Sequence, residues 1–139
     1  MRLITIIMLF FLFPSHIGIS DIGYNVISKN DDKPIEVVTL TVYSTNVGET
    51  DSTPHLTASG FKIDSNNPGK HKIIAVSRDL KRKWKFNTRV RIINAGRYNG
   101  IYTVKDLMNK RYKKRIDILV NNNRKPIKLT GIKVIKLED

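Results

Sequence analysis

The stretch that decides the fold is Ile101-Tyr102-Thr103-Val104-Lys105-Asp106-Leu107-Met108-Asn109-Lys110-Arg111-Tyr112-Lys113-Lys114-Arg115-Ile116-Asp117-Ile118-Leu119-Val120. It holds two short apolar runs, Ile101 to Val104 and Arg115 to Val120, separated by a basic connection. In the second run the two-residue period of a strand puts Ile116, Ile118 and Val120 on one face and Asp117 with Leu119 on the other. A carboxylate interrupts an apolar strand there. Asp106 follows the first run, at a strand-to-loop corner where functional side chains commonly sit.

Working outward, Ile35 to Ser44 (IEVVTLTVYS) is rich in β-branched and aromatic residues and reads as a first strand. Lys72 to Val76 and Arg89 to Ile93 are two more short runs, and Pro126 to Leu137 alternates around Gly131 as one bent strand or a hairpin. Thr45 to Asn67 is a long loop of Gly, Pro, Asp, Ser and Thr, with Thr57-Ala58-Ser59-Gly60 as its compact feature. Helical turns are expected only at Arg78 to Lys85 and Leu107 to Lys114. About six short strands with little helix argue an all-β barrel or sandwich. No internal repeat is visible.

The first twenty of the 139 residues read as a secretory leader: Met1-Arg2, then the apolar run Leu3 to Phe13 broken by Thr5, then small residues near Gly18 and Ser20. That run is shorter than the roughly 20 residues that span a bilayer, so no stable membrane span is expected once the leader is removed. Residues 21–34 are polar and read as a linker, which leaves 35–139 for a single domain. The location implied is secreted or periplasmic. The chain has no cysteine, which excludes disulfides, a thiolate metal site and a Cys nucleophile. Its three histidines, His16, His55 and His71, are too scattered for a metal cluster, and no cofactor motif is present.

The formal net charge is +13, concentrated in the middle of the chain: residues 70–115 carry 16 basic residues against 2 acidic ones. Such a field favours an anionic partner, and export makes an anionic envelope polymer a better fit than nucleic acid. The bland alternative is a solvated basic surface. Trp84 and Phe86, inside Lys81-Arg82-Lys83-Trp84-Lys85-Phe86, fit core positions at a barrel edge better than stacking platforms.

Within the basic stretch the only acids are Asp79 and Asp106, and Asp117 follows directly. A carboxyl held near apolar neighbours has its charged form disfavoured, which suits a general acid. Each aspartate also has a structural reading: a turn residue at Asp106, an ion-pair partner of Arg115 at Asp117, and a helix cap at Asp79.

Thr41-Val42-Tyr43-Ser44, Thr57-Ala58-Ser59-Gly60, Ile74-Ala75-Val76-Ser77-Arg78-Asp79, Val104-Lys105-Asp106 and Arg115-Ile116-Asp117-Ile118 together resemble the three-aspartate (3D) domain. The resemblance implies a six-stranded double-psi β-barrel, shared with MltA-type lytic transglycosylases and RlpA-like proteins. It implies peptidoglycan as the substrate, with Asp117 as acid/base, Asp106 as its supporting carboxylate and Asp79 as the third aspartate. Thr41, Tyr43 and Thr57 match cleft-lining positions, and Ser77, Arg78, Asn109 and Arg111 are expected to touch substrate beside them. The chain departs from that family in two places. Ser77 stands where an Asp is usual, and the glycine-rich loop after Asp106 is replaced by Leu107 to Lys114. The alternative to cleavage is a non-catalytic barrel that binds peptidoglycan or another anionic envelope glycan.

Overall fold

The computed structural model describes residues 33–46 and 53–138. The expected leader, and all of the expected linker except Lys33 and Pro34, lie outside the described residues.

Six strands close into a barrel: β1 (Ile35–Tyr43), β2 (Ile73–Val76), β3 (Arg89–Ile93), β4 (Gly100–Leu107), β5 (Arg115–Leu119) and β6 (Lys128–Lys136). Their order around it is β1-β5-β2-β4-β3-β6. β1 runs parallel to β5 and β2 parallel to β4, while the other four pairings are antiparallel. The all-β expectation therefore holds as a closed mixed barrel. One α-helix, α1 (Arg78–Lys83), leaves β2, and short 3-10 turns occupy Pro68–His71 and Gly96–Tyr98.

The strand alternation sorts side chains into two layers. Leu40, Ile74, Val76, Val90, Ile92, Val104, Ile116, Ile118, Ile132 and Val134 fill the barrel, and Leu80 and Trp84 from the α1 region complete the same core. Trp84 is 3% exposed and Phe86 packs against this core, as expected. The opposite faces of β1, β2 and β5 carry Tyr43, Ile73, Ala75 and Leu119, which form a second cluster with Ile63 and Met108 beneath the 53–63 segment. Burying a Leu or Ile side chain stabilises by about 1.5–3 kcal/mol, so the barrel interior is the main source of stability in a chain without disulfides.

One expectation changes, and one open alternative is decided. Leu107 to Lys114 is not helical: β4 runs on through Leu107, and the Met108 amide donates to Val76 O at 3.0 Å. The last run is one strand rather than a hairpin. Its register slips between Val38 and Leu40 of β1, with Gly131 at φ 70° in the slip. A left-handed glycine in a bulge bends a strand without ending it.

The register also reveals an internal repeat. The pairs Thr39↔Arg115 and Leu40↔Ile116 of β1 and β5 correspond to Thr103↔Ile73 and Val104↔Ile74 of β4 and β2. Val37↔Lys133 corresponds in the same way to Ile101↔Arg91. The units β1-β2-β3 and β4-β5-β6 are thus related by an approximate two-fold axis that passes between Ala75 and Asp117, which pair with each other. Lys72 and Lys114, both with positive φ, occupy equivalent corners before β2 and β5; their carbonyls accept from Thr103 and Thr39, each at 2.9 Å.

Candidate functional site: a cleft between two aspartates

Strand pairing alone places the aspartates on one row. Thr41 of β1 is opposite Asp117 of β5, Asp117 is opposite Ala75 of β2, and Ala75 is opposite Asp106 of β4. Two strand spacings separate the aspartates, roughly 10 Å between their Cα atoms. The residue between them is an alanine, the smallest side chain that keeps a Cβ, so the row is open in the middle.

Asp106 joins that row only because β4 is irregular. The register shifts between Ile74↔Val104 and Ala75↔Asp106, leaving Lys105 as the extra residue. Without that bulge Lys105 would face Ala75 and Asp106 would turn to the other side. The Thr57–Gly60 turn docks on the same irregularity: the Ser59 amide donates to Lys105 O at 3.1 Å, and the Ala58 amide to Asp106 Oδ1 at 2.9 Å. The turn itself is closed by the Phe61 amide on Thr57 Oγ1 and by the Gly60 amide on Thr57 O, with Gly60 at φ 79°.

The result is a cleft of about 740 Å³. Tyr43, Thr57, Ala75, Asp106 and Asp117 line it, Met108 and Tyr112 add apolar surface, and Arg78, Asn109 and Arg111 stand at its edge. Seven residues expected at the site therefore meet in one cavity: Tyr43, Thr57, Arg78, Asp106, Asn109, Arg111 and Asp117. Three do not line it. Thr41 is beside Asp117 in the sheet, but its hydroxyl donates to Ile116 O at 3.4 Å. Ser77 is fully buried, and its Oγ accepts from the Arg115 amide at 3.1 Å, fastening the end of β2 to the start of β5. Asp79 sits in the first turn of α1, where Oδ2 accepts from the Lys114 amide at 3.0 Å. Burial raises the pKa of this carboxyl, but hydrogen bonds from the Ser77 hydroxyl and from backbone amides outweigh it and hold the pKa below the usual value. Asp79 braces the Lys114 corner.

Within the cleft Asp106 is fully engaged. Oδ1 accepts from the Ala58 and Leu107 amides, both at 2.9 Å, and Oδ2 accepts from the Tyr43 hydroxyl at 3.2 Å. Tyr43 is itself buried, and its pKa is raised well above 10, first by burial, then by the charge of Asp106 and their hydrogen bond, then by the charge of Asp117. Both carboxylates thus act on one phenol, which stays protonated and donating. The rim is cationic. The Arg111 and Arg115 guanidiniums lie 4.8 and 4.4 Å from the Tyr112 ring centroid, and Arg111 also donates to the Tyr112 hydroxyl at 2.9 Å.

Sequence reasoning missed Ala75, the Ala58 amide and Met108. Ala75 had a signal, a small residue in an otherwise bulky strand; the other two depend on the bulge, which leaves no mark in composition. No group of His, Cys, Asp or Glu among the described residues is arranged to hold a metal ion. No helix among them is long and apolar enough to cross a membrane. No family model matches the chain, and no curated protein matches it. Fold and site define a closed six-stranded barrel with a two-aspartate, basic-rimmed cleft.

Proposed function

We propose that the chain is an exported cell-wall-active protein with a double-psi barrel, and that its cleft carries out lytic transglycosylase-like cleavage of the peptidoglycan glycan strand. The observation that carries this reading is the row Asp117–Ala75–Asp106 at the floor of an open cleft, two carboxylates with space for a sugar between them. The interlocked three-strand units and the two parallel pairs support the double-psi assignment.

In this mechanism Asp117, protonated, gives its proton to the glycosidic oxygen as the bond from C1 breaks. The resulting carboxylate then takes the proton of the same sugar's 6-hydroxyl as O6 bonds to C1, closing a 1,6-anhydro ring and restoring the acid. One carboxyl suffices for both transfers, unlike a hydrolase that needs a second to activate water or attack carbon. Asp106, which accepts from two amides and the Tyr43 phenol, is held in place as the supporting carboxylate. A carboxylate there stabilises positive charge developing at C1. Arg78 and Arg111 at the edge suit the carboxylates borne by such a strand.

A second reading, a barrel that only binds peptidoglycan or another anionic envelope glycan, is favoured by one observation. Two of the three contacts of Asp106 brace the covering turn and β1, and the third is with its neighbour Leu107, roles a purely structural aspartate would also fill. Purified sacculi separate the two. Wild-type protein is expected to release soluble anhydro-muropeptides, and Asp117→Asn to release none while keeping its thermal transition. Retention on sacculi without soluble products from the wild type supports the binder and ends the enzyme reading.

A further inference from the structure

A second cavity, of about 280 Å³, is lined by Tyr102, Ile118 and Val120 of the barrel core and by a ring of polar groups. Its chemistry is the reverse of the cleft's. Lys72, Arg97 and Arg124 line it, no acid does, and none of the three cations pairs with a carboxylate among the described residues.

Three features make it a built site. Tyr102 is 3% exposed and lines the cavity, and its hydroxyl makes no hydrogen bond among the described residues. That hydroxyl is not sealed in the core, so the cavity is where a partner would reach it. Its pKa lies above the ordinary value, through burial first and then the neighbouring Tyr98, so it remains a donor at neutral pH. The wall opposite is pinned, because the Gly69 amide donates to Asn121 Oδ1 at 2.9 Å, an approach so close that a Cβ on residue 69 would come within 3.1 Å of that oxygen. Lys72, the residue that turns the chain into β2, is held at φ 50°, and its ammonium lies 5.4 Å from the Tyr102 ring centroid.

We infer that this mouth binds a phosphate group carried on a single ring, the ring against Tyr98 and the Ile118–Val120 edge and the phosphate among Lys72, Arg97, Arg124 and the Tyr102 hydroxyl. The volume lies just below the roughly 300 Å³ at which pockets for drug-sized ligands begin, which matches one ring and one anion. Guanidinium forks and a phenol donor suit phosphate oxygens, and the apolar floor distinguishes a ring-borne phosphate from a free one. The inference is independent of the reading of the two-aspartate cleft.

The test is an amide-resonance titration of the full chain at fixed ionic strength with phenyl phosphate, inorganic phosphate and phenol. Phenyl phosphate is expected to give saturable shifts centred on Gly69, Lys72, Tyr98 and Asn121. Arg97→Ala with Arg124→Ala should weaken it about tenfold or more, since charge-assisted hydrogen bonds are lost at exposed positions that do not carry the fold. Asp117→Asn should leave it unchanged. Shifts spread over the basic segments 81–85 and 110–115, equal affinity for inorganic phosphate or for phenol, or an unaltered dissociation constant in the double variant would each overturn the proposal.

Discussion

Tyr43 ties the two layers of the site together, since its ring belongs to the cluster beneath the 53–63 segment while its hydroxyl reaches Asp106. Removing that hydroxyl leaves one oxygen of a half-buried carboxylate without its donor. Tyr43→Phe is expected to cost about 1–3 kcal/mol in chemical denaturation at pH 7. The pH dependence has a defined sign. A tyrosine whose folded pKa exceeds the unfolded value of about 10 contributes stability that is complete below pH 10 and is lost as pH rises above it. Wild-type protein should therefore lose stability more steeply above pH 10 than Tyr43→Phe; equal slopes would remove Tyr43 as the cause. Asp79 has the opposite linkage, because its lowered pKa contributes stability above an unfolded value of 3.8 that is lost as pH falls through the folded one. Asp79→Ala should lower stability by about 1 kcal/mol at neutral pH and by less under acid. Its activity on sacculi, if the wild type has any, should be kept, since Asp79 braces a corner outside the cleft.

At the scale of elements, the sheet accounts for what sequence could and could not show. The runs Arg89 to Ile93 and Arg115 to Leu119 are legible because β-branched side chains alternate and the strands are bounded by turn residues or charge. The same alternation correctly separated Asp117 from the core-facing Ile116 and Ile118. Leu107 to Lys114 misleads because it lacks Gly and Pro and is rich in Leu, Met, Lys and Arg, all good helix formers. Pairing with β2 overrides that propensity and carries β4 on to Leu107. The bulge at Lys105 is legible in no residue type, yet it alone brings Asp106 to the face of Asp117, so the pair could be recognised by spacing but not placed. Gly131 offers a clean test of the other bulge. A Cβ there meets nothing within 4 Å, so Gly131→Ala probes backbone strain alone and should destabilise by about 1–2 kcal/mol without disturbing the cleft. An unchanged melting temperature would mean that β6 can bend some other way.

The barrel is two three-strand units, and the sequence hides them because their loops differ. A long segment joins β1 to β2 where a short basic turn joins β4 to β5, and α1 has no helical counterpart between β5 and β6. The order around the barrel, β1-β5-β2-β4-β3-β6, alternates strictly between the units, so every strand has both hydrogen-bonded neighbours in the other one. Neither unit contains a single ladder of its own. Only β3 and β4 pair as a local hairpin, across the 94–99 connection, and every other strand pair must wait for a distant segment to arrive. Cleaving the backbone within 94–99 should therefore give two pieces that are each without sheet in circular dichroism and recover it only when mixed. A piece that forms strands alone would contradict the topology. Folding is then one slow, all-or-none event, in which the two-aspartate row comes into existence at the same moment as the barrel itself.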